Sequence, residues 1–260
     1  MTFARLLSFA ATLGVVSVVL PAQTPEPPQP PERWEWTIAP SVFAPSQSGT
    51  VALTGYAFPG QMTVPSAGGA LDVQGRRGEW AFVLGGYYLG LGQNYQNGYG
   101  YSNPGGGGLD SGATTGNQWS VQLLGLRRIA RSLEIALGLA ANGVQAQAHA
   151  YGTGGIGNPG PFADSTTESK TWALPVAGAR WTPFDRDRWR LVLFGQAGYW
   201  GSNNKMWQLV PSVGYRIGPA LEVAAQYRWL NTMYKESDAF DVFSYNVHTY
   251  GPELTLGLRF

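Results

Sequence analysis

The sequence predicts an all-β fold: a transmembrane, antiparallel, up-and-down β-barrel of ten strands, with eight and twelve as alternative counts. Three observations predict it. Apolar residues recur at every second position in segment after segment. The connections between segments are tight and long by turns. The chain also stops inside an alternating stretch, "GPELTLGLRF" at Gly251–Phe260, where a polar tail is the common ending of a soluble domain.

Composition narrows the class. The 260 residues include 36 Gly, 10 Trp and 13 Tyr, and only 13% are charged. Ordinary globular domains carry about 25% charged residues and ~7% Gly. A net charge of +1 with no basic run excludes nucleic acid as a partner. With no Cys, disulfides, thiol chemistry and lipoprotein attachment are excluded, and two His are left for acid–base or metal work. No cofactor is expected.

The N-terminal end reads as an export signal. Arg5 precedes the apolar run Leu6–Leu20, and Pro21-Ala22 follow. A short basic region, a compact apolar region and a small residue at its end predict cleavage near Ala22. The run is short for a spanning helix, which needs roughly 20 apolar residues. Residues 23–33, "QTPEPPQPPER", hold five prolines and predict a stiff, extended lead-in that cannot enter a sheet interior. The barrel is then residues 34–260.

From Trp34 the period is two. Trp34, Trp36, Ile38, Pro40 and Val42 share one face of the first strand. Strands follow at 69–76 and 79–91, the latter with Trp80, Phe82 and Leu84 in phase. Trp119, Val121 and Leu123 mark 118–128. Leu133, Ile135, Leu137 and Leu139 mark 132–150. A strand is placed at 169–183. Trp189, Leu191 and Leu193 mark 188–200, and Trp207, Leu209, Val213 and Tyr215 mark 206–217. Leu221, Val223, Tyr227 and Trp229 mark 220–231, and Leu254, Leu256, Leu258 and Phe260 mark 246–260. In the fifth segment Gln145, Gln147 and His149 keep the phase of the leucines. Either that strand rises out of the lipid, or Asn142-Gly143 marks a bulge.

Tight connections are expected at Arg76–Glu79, Arg128–Ser132, Phe184–Arg188 and Ile217–Ala220. Long ones are expected at Pro45–Gly68, Gln93–Gln118, Tyr151–Glu168 and Asn231–Tyr245, with Gly201–Lys205 the short exception. Tight turns on one side and long loops on the other characterise bacterial membrane barrels. Gln93–Gln118 and Tyr151–Glu168 are expected to be the most mobile parts, because Gly and Asn there offer little area to bury. Lipid supplies no hydrogen bonds, so the last strand must close on the first, with Phe260 as its final outward rung. Trp34, Trp36, Trp80, Trp189 and Phe260 form one expected aromatic girdle, and Tyr199, Trp207, Trp229 and Tyr250 the other.

With its alternating strands from Trp34 to Phe260 and its terminal "LTLGLRF", the chain resembles the broad class of Gram-negative outer-membrane β-barrel proteins. It matches no single family within that class. The resemblance implies an outer-membrane location, a lipid environment, and recognition by the barrel-assembly machinery through the strand ending at Phe260. The class hosts pores, enzymes and adhesins alike, and oligomeric state is not implied.

Candidates for chemistry are sparse. A hydrolytic site at the mouth would draw on His149, His248, Glu236, Asp238 and Asp241. Ten-stranded outer-membrane proteases use acidic residues and a His near the mouth, but no motif here matches theirs. The Gly-rich stretches Gly105–Gly108 and Tyr151–Gly157 lack the Lys-Ser/Thr of a phosphate loop, and no metal-ligand spacing is present. The expected role is passive and non-enzymatic: a narrow pore for small polar solutes, or a structural barrel of the envelope; the alternatives are an outer-membrane hydrolase with its site at the extracellular mouth, or a soluble secreted β-barrel. A barrel of about eight strands is just filled by side chains, so ten strands predict a constricted lumen. The constriction is assigned to Arg228 and Glu253, with Glu222 and Arg259 nearer the tight-turn rim. The expected register sets Arg228 directly opposite Glu253, Glu222 opposite Arg259, and Val223, Ala225 and Tyr227 opposite Leu258, Leu256 and Leu254. Arg216 and Glu35 are expected to extend the rim pair.

Overall fold

The computed structural model describes residues 33–53, 56–62, 67–96, 108–153, 161–237 and 242–260. The proposed signal and most of the proline-rich lead-in lie outside these residues. The strands are β1 Glu35–Phe43, β2 Ser46–Leu53, β3 Tyr56–Met62, β4 Gly68–Arg77, β5 Trp80–Gln96, β6 Gly108–Ala130, β7 Leu133–Thr153, β8 Pro161–Arg186, β9 Trp189–Trp200, β10 Asn204–Arg216, β11 Leu221–Ser237 and β12 Val242–Arg259.

Ten of them close a barrel in the order β1-β4-β5-β6-β7-β8-β9-β10-β11-β12, with β12 returning to β1. All neighbours are antiparallel. The seam is sealed by reciprocal bonds: the Trp36 amide donates to the Phe260 carbonyl at 2.9 Å, and the Phe260 amide to the Trp36 carbonyl at 3.0 Å. No sheet edge is left within the apolar band, as hydrocarbon requires.

The expected loop Pro45–Gly68 is corrected. It carries the hairpin β2–β3. β12 is long enough for two partners, β1 along Glu253–Arg259 and β2 along Ser244–Tyr250. Pro45 has no amide to donate, so the ladder breaks there and resumes, and the Ala44 amide bridges the gap to the Pro252 carbonyl at 3.1 Å. Gly251 is part of this junction. A Cβ there would sit on the Ala44 carbonyl oxygen, which the adjacent bond holds in place. Gly251→Ala should therefore cost about 1–3 kcal/mol, read as a lower denaturant midpoint of the refolded protein. An unchanged midpoint would mean the junction is soft.

Three other long loops are shorter than expected. β6 begins at Gly108, β8 at Pro161, and β11 and β12 run to Ser237 and from Val242. The remaining tips, including 97–107 and 154–160, lie outside the described residues. The Gly, Ser and Thr of these strand tops give no apolar period, yet their backbones continue the ladder of their neighbours. The amides of Thr115–Gln118, paired with both β5 and β7, should therefore exchange slowly with solvent. Fast exchange there would restore the loop reading.

β7 resolves the question at Asn142-Gly143. Its ladders with β6 and β8 pass through both residues in step, so no bulge occurs there. Gln145 remains outward and exposed, hydrogen-bonded to Asn117 at 3.1 Å. The strand has left the apolar zone.

The outer face has the character of a membrane surface. Leu71, Leu84, Leu123, Leu137, Leu139 and Leu254 are exposed, with Leu137 at 64% and Leu139 at 62%. Such a belt is tolerated in lipid and is an aggregation surface in water. Both expected girdles are exposed on this face, joined by Tyr88, Trp181, Phe184 and Trp200. Above Trp119 the outward residues of β6–β8 become polar, through Asn117, Gln145, Thr171 and Ser169. The turns at the other end are tight. Gly78 and Asp187 take positive φ of 58° and 53°, the left-handed conformation that short hairpins need.

Candidate functional site

The strand period that puts leucines outside puts a second, polar set into the lumen. Nearest the tight turns this set is charged. Glu134 on β7 faces Arg76 on β4 at 2.5 Å, Arg180 on β8 at 3.3 Å and Arg128 at 3.8 Å. Arg180 also donates to Gln74 across the lumen at 2.7 Å. On the far wall Glu222 faces Arg190 at 3.8 Å, Arg216 at 3.8 Å and Arg259 at 3.9 Å, and Arg216 also bonds Asp185. The Arg216 extension of the rim is present. Glu35 lines the same space without an ion pair to this group among the described contacts.

One step up lies Arg228, at side-chain exposures of 9% for it and 1% for Glu253. Its Nε and Nη2 donate to the two carboxylate oxygens of Glu253 at 2.8 and 3.2 Å, and its Nη1 to Gln208 at 3.2 Å. Ser41 donates to the same carboxylate, and Phe43 lies under the guanidinium with its ring centre 5.9 Å away. The two residues therefore meet, but not in the expected register. Arg228 stands opposite Gly251 and Glu253 opposite Gln226, while Val223, Ala225 and Tyr227 stand opposite Leu256, Leu254 and Pro252. Glu222 stands opposite Gly257, so the Glu222–Arg259 pair is also diagonal. The ladder is two residues away from the expected one. Diagonal neighbours are about 7–8 Å apart, within reach of an arginine. Charge pairing therefore does not distinguish the two even registers.

Above this pair the lumen is spanned. The Gln118 amide on β6 donates to Thr232 on β11, five strands away around the ring, at 3.2 Å, and to the Tyr87 hydroxyl at 3.0 Å. It accepts from the Tyr245 hydroxyl on β12 at 2.9 Å. Gln118 is 1% exposed and Thr232 and Tyr245 are 0%. Leu89, Leu174, Met206, Leu230 and Phe243 are buried with them, and Trp172 stacks on Tyr234 at 4.4 Å. Side chains lining a water-filled passage are wetted by it, and these are not. This knot escaped sequence reading, although Gln118 shares the inward phase of Gln122. A partner half a barrel away leaves no mark on neighbouring positions.

The hydrolytic candidates do not converge. His248 lies on the outer face of β12 with Asn231 at 3.4 Å. His149 pairs with Ala113 and Ser165 in the β7 ladders, half a ring from β12. Glu236 is held by Lys170 at 2.9 Å and by the Tyr234 hydroxyl at 3.1 Å. Asp238 and Asp241 lie outside the described residues. Among the described residues no group of three or more His, Asp or Glu could hold a metal ion.

A closed ten-stranded antiparallel barrel with an apolar exterior and a polar, crossed lumen has the fold of the Gram-negative outer-membrane β-barrels. One solved structure shares this fold. The outer membrane protease OmpT from Escherichia coli superimposes with a TM-score of 0.55 at 12% identity, over 87% of this chain and 96% of that one. Ail, the attachment invasion locus protein of Yersinia pestis, gives 0.36 at 15% identity, over 86% and 99%. The P. putida toluene transporter TodX gives 0.37 at 9%, over 87% and 90%. No family model matches the chain, and no curated protein matches it.

Proposed function

We propose that the protein is a sealed barrel of the bacterial outer membrane, a structural component of the envelope with no open diffusion path at rest. One observation carries this: the dry layer of Gln118, Thr232, Tyr245 and their apolar neighbours across the upper lumen. Arg228, Glu253, Glu222 and Arg259 narrow the passage beneath it. The test is conductance of the refolded protein in a planar bilayer. A silent bilayer with folded protein is expected. Steps that fall with increasing solute size would replace the seal by a narrow pore. Export by cleavage near Ala22 and assembly through the strand ending at Phe260 belong to the same reading. Deletion of Phe260 should lower the yield of inserted barrel in cells.

The fold shared with a protease leaves a hydrolase as the competing reading. It calls on His149 and His248, which stand on strands half a ring apart. No peptide hydrolysis is expected, and hydrolysis abolished by H149A/H248A would overturn the passive assignment.

A further inference from the structure

Beneath the Arg228–Glu253 pair the lumen opens into a cavity of about 430 Å³. Turn residues Arg131, Ser132, Gly218 and Pro219 are at its rim, so it opens at the tight-turn end, the end where β1 and β12 meet. Its size falls in the range of small-molecule sites, about 300–1,000 Å³. Among the described residues, eight arginines line it against five carboxylates, and one of the eight, Arg228, is already paired with Glu253.

The arginines are under-neutralised. Arg76, Arg128 and Arg180 share Glu134, and Arg190, Arg216 and Arg259 share Glu222, with Asp185 a second partner for Arg216 alone. A guanidinium has five donors, and a carboxylate about four acceptor sites. The bonds around Glu222, at 3.8 to 3.9 Å, are too long for hydrogen bonds. Arg190 Nε, Arg216 Nε and Arg76 Nη1 are buried with no hydrogen-bond acceptor among the described residues. Buried donors are normally satisfied, and these three are not satisfied by the described residues. They stand on β9, β10 and β4, on both walls of one cavity.

We infer that this cavity is a binding site for a soluble, multiply charged phosphate-type oxyanion entering from the tight-turn end. Arginine forks match phosphate oxygens in pairs. The walls have low dielectric, so the excess positive charge acts more strongly there than on an open surface. The site lies below the seal, and its test reads binding where the seal's test reads conductance. Each can fail alone.

Inorganic pyrophosphate is the probe, titrated calorimetrically into refolded protein in uncharged detergent without divalent metal. Saturable one-site binding is expected, weakening as NaCl is raised. R190Q/R216Q should weaken it about tenfold or more. K205Q/K235Q, which removes the same charge from the far end of β10 and β11, should not change it. Glu222→Gln should tighten it, because a competing carboxylate charge is lost, and this outcome does not depend on the double variant folding. A lipid headgroup as occupant predicts competition in nanodiscs of phosphatidylglycerol and none in phosphatidylcholine. A soluble anion predicts equal affinity in both. The inference is overturned by no binding, by binding that R190Q/R216Q leaves intact in a folded barrel, by weaker binding in Glu222→Gln, or by phosphatidylglycerol competition.

Discussion

Removing Gln118 and Tyr245 together opens the barrel. Q118A/Y245A should give conductance steps in a planar bilayer that the wild-type protein lacks. The Tyr245 ring is fully buried, and the Gln118 amide joins three strands through its two donors and its acceptor. Truncating a buried aromatic leaves a cavity and costs about 3–5 kcal/mol. Here the cavity is not apolar throughout. The hydroxyls of Tyr87 and Thr232 each lose their bond to Gln118 at the same time, and weakened hydrogen bonding of such buried groups costs up to about 1–3 kcal/mol. Water relieves that cost where several polar groups face a void of sufficient size. The wet gap then joins the lower cavity to the space above. The ladder holds the wall throughout, so the barrel should still insert. A correctly folded variant as silent as the wild type would show that the seal lies elsewhere in the layer, at Trp172 or Leu230.

Glu253→Ala should destabilise the barrel by about 3–5 kcal/mol, because it leaves Arg228 charged, buried and unpaired. Two of its three hydrogen-bonding nitrogens use Glu253, and Gln208 alone remains to it. Phe43 offers a weak residual attraction, roughly 0.5–2 kcal/mol. Glu253→Gln keeps an acceptor for Arg228 and should cost less than the alanine. The paired replacement R228L/E253L removes both desolvation penalties and should lie near the wild type, as buried ion pairs exchanged for apolar residues commonly do. Urea midpoints of refolded protein give all three. An alanine variant within about 0.5 kcal/mol of the wild type would mean that water reaches the pair.

The alternation from Trp34 to Phe260 was enough to read the barrel, its ten strands, its tight turns and its two girdles. Each follows from a local rule, since a strand's faces are fixed by a period of two and a tight turn by its own residues. Arg228 and Glu253 were legible as inward partners for the same reason. Their register was not, because an arginine spans a diagonal as readily as a direct rung. The strand tops of β6 and β8 look like loops in the sequence because, above the bilayer, backbone pairing needs no apolar pattern. The β2–β3 hairpin was missed in the same way.

The face of each strand that meets lipid and the face that meets the lumen can be read from the chain alone, because that information lies within each strand. Which side chains meet across the lumen is set by the closed barrel. Gln118 finding Tyr245, and Glu134 gathering Arg76 and Arg180, depend on closing ten strands at one diameter and stagger. That closure sets contacts between residues far apart in the chain, and no neighbouring position records them.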